Sequence, residues 1–266
     1  MNVKATFGHK QPIVAMVHLP PLPGAPLYDP KGGMQKIIDS CARDIEALQS
    51  GGVDAVMFGN EGDRPYLLKA SASTLAAMGF VIGELKRLIK VPFGVNYLWD
   101  PVATVALAVA SGARFAREIF TGIYDSDMGL WAPDAAGAVR LRTDCHRPDL
   151  VLMYNINAEF ASPIGDRPIE QRAKSAVFSS LADVILVSGP MTGQPAEGAD
   201  LKRVKDAIPA TPVFANTGVN LDNVADVLTI ADGAIIGTHF KVDGDTWNAV
   251  DKARVKRFMD KVRKLR

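Results

Sequence analysis

The segments VFANTGVN (213–220) and GAIIGTHFK (233–241) follow one plan: a short apolar run stops at a polar turn that contains glycine. A strand buried on both faces reads as an unbroken apolar run rather than as an alternation. Moving outward, similar runs recur at 12–19, 53–61, 91–99, 113–120, 151–157 and 183–189. With 212–218 and 233–240 they make eight, and segments of helical period separate them. The first of these places Met34, Ile37, Ile38, Cys41, Ile45 and Leu48 at steps of three and four, then stops at Gly51 and Gly52. The last repeats the pattern with Val250, Val255, Phe258, Met259 and Val262, and its other face is basic, which reads as a solvated outer surface.

Strands alternating with helices imply a parallel sheet. Eight such units in 266 residues, without linker or low-complexity tract, predict a single-domain (β/α)8 TIM barrel over residues 1–266. An open doubly wound sheet is the alternative. It usually carries G-x-G-x-x-G after its first strand, whereas here that strand leads into HLPPLPGAP.

Bulk properties narrow the partners. An apolar fraction of 48% with 22% charge excludes disordered, collagenous and disulfide-rich classes. A net charge of +1 gives no global attraction to nucleic acid or anionic membrane, so a small-molecule partner is expected. Cys41 and Cys145 form no C-x-x-C pair or zinc-like cluster, and a reducing cytoplasm is expected. No apolar run reaches the ~18 residues a membrane span needs, and the proline-broken N-terminus does not resemble a signal peptide.

In a (β/α)8 barrel the turns after strands seven and eight commonly bind phosphate, because glycine admits the anion to successive backbone N–H groups. Thr217, Gly218, Gly237 and Thr238 are therefore the candidate cradle, with Lys241 adding charge and Ser188 and Gly189 contributing from the strand before. Plain tight turns explain a single glycine equally well.

Polar residues at strand ends must face a pocket or find a buried partner. They are His18, Asn60, Glu61, Asn96, Glu118, Asn155, Asn157 and Ser188. Pairing small with polar residues two apart puts Gly59 with Glu61, Gly94 with Asn96 and Ala116 with Glu118 on the inner face. Glu118 is the first candidate for proton transfer, since burial raises a carboxyl towards neutrality; an ion pair with Arg114 or Arg117 is its structural alternative. Glu61, His18, Asn96 and Asn155 complete the candidate catalytic set. No cofactor is implied with certainty; Glu61 and Glu118 with Asn96 or Asn155 offer the hard oxygens that suit a divalent cation such as magnesium. The long loop 121–134, with Tyr124, Asp125, Asp127 and Trp131, reads as a lid whose acids join the site, or as a solvated loop anchored by Trp131. The glycine-rich loop 189–198 reads as mobile.

IVAMVHLPPLPGAP, GGVDAVMFGNE, VPFGVNYLWDPVA, REIFTGIYDSDMG, VSGPMTG, ANTGVNLDNV and FKVDGDTWNAVDKARVKRFM together resemble the BtpA family, most closely its SgcQ branch. The resemblance runs nearly end to end. It implies a TIM-type barrel in a family linked, in cyanobacteria, to photosystem I accumulation and, in the SgcQ branch, to a bacterial sugar-utilisation operon. The chain departs from the photosynthetic branch at Asn155, where that branch has an acid, at Glu159, where it has a lysine, and at Glu118, where it has an amide.

The leading expectation is an enzyme of isomerase, epimerase or aldolase-like lyase type, acting on a phosphorylated sugar or related metabolite. A Schiff-base route is disfavoured because no strand core carries lysine. A non-catalytic assembly factor and a metal-dependent hydrolase are the alternatives. A homo-oligomer is left open.

Overall fold

The structure, a computed structural model, describes residues 1–189, 193–195 and 198–266. Parts of the glycine-rich loop 189–198, Pro190 to Thr192 with Ala196 and Glu197, lie outside the described residues. In chain order the strands are β1 (Ile13–His18), β2 (Ala55–Gly59), β3 (Phe93–Asn96), β4 (Phe115–Glu118), β5 (Tyr124–Ser126), β6 (Gly129–Trp131), β7 (Val151–Asn155), β8 (Ala161–Pro163), β9 (Val184–Val187), β10 (Val213–Ala215) and β11 (Ala234–Ile236). Eight of them close a barrel in the order β1-β2-β3-β4-β7-β9-β10-β11, with β11 pairing back to β1 and every pair parallel. The eight apolar runs of the sequence are these eight strands, and the protein is a TIM barrel.

The helices between them bury one stripe each. Among those that bear on the site, α2 (Gly33–Gly51) buries Ile37, Cys41, Ile45 and Leu48 and ends where expected. Gly52, at φ 91°, turns left-handed so that its N–H reaches back to Leu48 and Gln49. The last helix (Lys252–Leu265) buries Val255, Phe258, Met259 and Val262; its Asp251 cap accepts from the N–H groups of Ala253 and Arg254. That cap fixes the first turn of this helix and with it the origin of the Arg254 side chain.

Two apolar layers meet at the barrel wall. The inner one gathers Met16, Met57, Phe115, Met153, Leu186, Phe214 and Ile235 with their neighbours, and the outer one packs the opposite faces of the strands on the helices. Phe7, in the short α1 (Val3–Phe7), joins the inner layer at ring-centroid distances of 5.1 Å from Phe115 and 5.9 Å from Phe214, which plugs the floor.

On β4 the inner face differs from expectation. Phe115 and Arg117 point inward, and Ala116 packs in the outer layer. Gly94 is the reason: a Cβ there would lie 2.1 Å from the Phe115 ring, so the missing side chain on β3 is the space the phenyl group fills. Small residues on this wall do not simply mark the interior; a glycine on one strand admits a large group from the next.

The 121–134 segment is folded rather than loose. β5 and β6 form a hairpin that β8 joins in a three-stranded antiparallel sheet. Its inner side packs Tyr124 and Trp131 on Trp99, Ile119 and Ala158, with the Trp99 and Trp131 centroids 4.7 Å apart. Trp131 is a packing anchor. Asp125 and Asp127 are exposed and stand apart from the cavity described next, correcting the expectation that they join the site.

Candidate functional site

Continuing each strand's inner parity by one step past the apolar layer gives a ring at the C-terminal mouth: His18, Gly59, Asn96, Arg117, Asn155, Ser188, Asn216 and Gly237. Above it is a cavity of about 260 Å3 lined by His18, Glu61, Arg117, Glu118, Asn155, Asn216, Thr217, Gly218, Gly237 and Thr238, among others. His18, Glu61, Glu118, Asn155 and the four candidate cradle residues are thus brought together. This is the end of the barrel where enzymes of the fold place their chemistry.

On the β10–β11 side the strands separate. Among the described residues, the backbone N–H groups of Gly218, Val219, Gly237, Thr238 and His239 have no protein acceptor. Gly218 adopts φ 65°, and a Cβ there would lie 2.0 Å from the Pro195 backbone nitrogen, so glycine is required both for the turn and for the close approach of the preceding loop. The Thr217 hydroxyl oxygen accepts from Gly189 N–H at 2.5 Å, which leaves its own proton to donate.

Three of the residues expected at the anion site play other parts. Gly189 spends its N–H on Thr217, and Ser188 accepts from Asn216 Nδ2 at 2.6 Å; neither lines the cavity. Lys241 is turned away altogether. Its side chain is buried beneath a neighbouring pocket and donates to Asp44 Oδ2 on α2 at 2.8 Å, while Asp44 Oδ1 accepts from Val250 N–H. The expectation that Lys241 serves the anion is corrected: a buried carboxylate on α2 claims the ammonium. Arg254, which the sequence reading passed over, lines the cavity instead. Its Nε is fixed to the His239 carbonyl at 2.8 Å, and its terminal nitrogens have no hydrogen-bond acceptor among the described residues.

The titratable groups run from beside β11 round to β4, with His18 on β1, Glu61 after β2 and Glu118 on β4. Glu61, just past β2, has Oε1 3.7 Å from His18 Nε2, and its buried Oε2 has no hydrogen-bond partner. Burial pushes its pKa up to about 7 against the pull of Arg117. Burial, helped by the charge of Lys241, pushes His18 down to about 3, so the imidazole is neutral, and its buried Nδ1 is unpaired. Glu118 is also raised to about 7 by burial, opposed first by the Ile119 N–H. Unlike Glu61, it is enclosed: Oε1 accepts from Ile119 N–H at 2.8 Å, and Oε2 from Asn96 Nδ2 at 2.6 Å and Trp99 N–H at 3.0 Å.

Asn96 does not line the cavity; it links Glu118 to Arg117, whose Nη1 donates to Asn96 Oδ1 at 2.6 Å. Arg117 also lies 3.5 Å from Glu159 Oε1. Among the described residues, no three of His, Cys, Asp or Glu stand together to hold a metal ion. Asn216 Oδ1 is a third buried, unpaired polar atom facing this region. Asn216 was legible in principle, two residues beyond the inward Phe214.

A closed parallel barrel with a polar mouth places the chain among TIM-barrel proteins, and solved structures agree. It superposes on phosphoribosyl anthranilate isomerase from Thermus thermophilus with a TM-score of 0.60 at 12% identity, covering 96% of this chain and 100% of that one. It superposes on Xanthomonas albilineans dihydropteroate synthase with 4-aminobenzoic acid with a TM-score of 0.59 at 13% identity, covering 96% and 93%. At such identity the likeness is one of fold. More particularly, the chain belongs to the BtpA family, which it matches over residues 9–264. It is 47% identical to the putative sgc region protein SgcQ of Escherichia coli K12, over 99% of this chain and 98% of that protein. It is 30% identical to the photosystem I biogenesis protein BtpA of Synechocystis, over 98% and 91%. No helix among the described residues is long and apolar enough to cross a membrane.

Proposed function

We propose that the protein is an enzyme acting on a phosphorylated sugar or related small metabolite by proton transfer beside a carbonyl group. Thr217, Gly218, Gly237 and Thr238 hold the phosphate, and Arg254 supplies the cation. Glu61 is the proton acceptor. One coincidence carries this reading: a set of uncommitted backbone N–H groups and a buried carboxylate oxygen without a partner share one cavity. The first suits a dianion, the second a proton. Glu61 takes precedence over Glu118 because its Oε2 has no hydrogen-bond partner, whereas both oxygens of Glu118 already accept from the protein.

The test is a thermal-shift and calorimetric screen of inorganic phosphate and phosphorylated sugars against the wild-type chain, Gly237→Val and Arg254→Met. A Cβ at position 237 meets the His18 ring at 3.0 Å and crowds the cradle. Binding should therefore fall in Gly237→Val, and in Arg254→Met by ~10-fold or more for loss of a charged donor. Absence of any shift in the wild type, with persistent co-purification of a macromolecular complex, would instead support the non-catalytic role that the name of the Synechocystis relative suggests for that protein.

A further inference from the structure

Proton abstraction next to a carbonyl leaves negative charge on oxygen, and a buried base succeeds only if something receives that charge. Two arginines line the cavity, Arg254 beside the β10–β11 turns and Arg117 at the end of β4, and Arg117 is held by a buried side-chain network. Arg117 points inward from the end of β4 with a side chain 11% exposed. From behind, Asn96 Oδ1 accepts from its Nη1, Asn96 Nδ2 donates to Glu118 Oε2, and two backbone N–H groups fix Glu118 in turn. The chain of bonds ends at a guanidinium. Of its five N–H donors, Asn96 takes one and Glu159 lies at ion-pair distance from another nitrogen, so donors remain for a ligand.

Topology fixes the direction. In the closed order, β4 lies four strands from β11 whichever way one counts. Arg117 therefore faces Gly237 and Thr238 squarely across the mouth, with Glu61 on the arc between them that runs through β1, β2 and β3.

We infer that Arg117 is a catalytic electrophile, positioned by Asn96 and Glu118, and that the substrate spans the mouth with its phosphate on the β10–β11 turns and its reacting carbonyl oxygen on Arg117. This rests on the phosphate reading above and adds an orientation to it. In the step itself, the Glu61 carboxylate takes the proton from the carbon beside the carbonyl. The C–H electron pair becomes a C=C bond, the carbonyl π pair moves onto oxygen, and the resulting enediolate oxygen is held by the guanidinium. The hydroxyl proton on the neighbouring carbon passes to the enediolate oxygen held by Arg117, Glu61 returns its proton to the former carbonyl carbon, and the second oxygen becomes the new carbonyl, which completes an isomerisation without any outside reactant. The substrate class is a linear phosphate monoester with an α-hydroxy carbonyl group at a fixed reach from the phosphate. Glu118 becomes a positioning residue, which accounts for its enclosed oxygens.

The experiment compares inorganic phosphate with a graded series of phosphorylated acids: 2-phosphoglycolate, 3-phosphoglycerate, 4-phosphoerythronate and 6-phosphogluconate. Their planar carboxylate stands in for the enediolate. Titration calorimetry is run on the wild-type chain, Arg117→Met and Asn96→Ala, with circular dichroism to verify folding. In the wild type, one length should bind about 10- to 100-fold more tightly than phosphate, as a charged hydrogen-bonded pair provides. Arg117→Met should erase that excess and leave the affinity for inorganic phosphate unchanged. Asn96→Ala, which frees the guanidinium without removing it, should erase most of it, and it decides the matter if Arg117→Met does not fold. If no acid in the series exceeds phosphate, or if the excess survives both substitutions, the role of Arg117 is overturned while the phosphate reading stands. If inorganic phosphate itself does not bind, the phosphate reading falls and this inference with it.

Discussion

Replacing Lys241 by methionine separates a structural ion pair from a ligand contact. The ammonium and the Asp44 carboxylate are 2.8 Å apart, and both side chains are nearly excluded from solvent, at 2% and 7% exposure. In Lys241→Met, Asp44 keeps only its bond from Val250 N–H. Removing one partner of a buried pair typically costs about 3–5 kcal/mol, because the remaining charge has lost its compensation without regaining water. For a chain of this size ~1 kcal/mol moves the melting temperature by roughly 2–4 °C, so the expected fall is about 6–20 °C. Asp44→Leu combined with Lys241→Met removes both charges and should recover most of the loss, since a well-packed apolar pair is often as stable. Differential scanning fluorimetry reads the stability, and titration with inorganic phosphate, run well below the melting point, reads the site. Because Lys241 points away from the cavity, phosphate affinity should stay within about twofold, as no donor to the anion is removed. A stability loss under ~1 kcal/mol, as for an exposed pair, or a collapse of phosphate binding in the folded variant, would refute the assignment.

Two further outcomes follow from the same geometry. Glu61 is raised from the ordinary carboxylate range to about 7. Its protonated form is favoured by folding, so its stability contribution is full below pH ~4 and is lost as pH rises through ~7. Glu61→Gln should therefore match the wild type near pH 4 and exceed it by roughly 1–3 kcal/mol at pH 8 in chemical denaturation; equal curves at both pH values would contradict the burial described. Trp131→Ala removes the anchor of the β5–β6–β8 sheet, and aromatic truncation in a packed cluster costs about 3–5 kcal/mol. Amide hydrogen exchange in residues 124–131 and 161–163 should accelerate on the order of 100-fold while the barrel strands keep their protection; uniform acceleration everywhere would show that the cap is not a separate unit.

The fold was legible because barrel strands carry their signal locally: β1, β2, β7 and β9 are buried on both faces and spell it as unbroken apolar runs. The small sheet was not. Its strands are three residues long, too short for any period, and β8 lies thirty residues beyond β6 in the chain. The place of Thr217, Gly218, Gly237 and Thr238 at the mouth was readable because the topology of the fold fixes where the turns after the last two strands lie. Lys241 was misplaced because its partner, Asp44, is 197 residues distant. Arg117 was set aside as a neighbour of Glu118 because strand parity was taken from residue size, and Phe115 inverts that rule through the gap left by Gly94. Arg254 sits on a helix whose basic face reads as solvated, and only the Asp251 cap and the His239 carbonyl turn it towards the mouth.

The Phe7 plug has a consequence for traffic. With the floor shut by Phe7 packed at a tilt against Phe115 and Phe214, whatever the barrel holds must leave through the opening by which it entered. On the function proposed above, departing and arriving molecules share that doorway, so inhibition by the product should be competitive with the substrate.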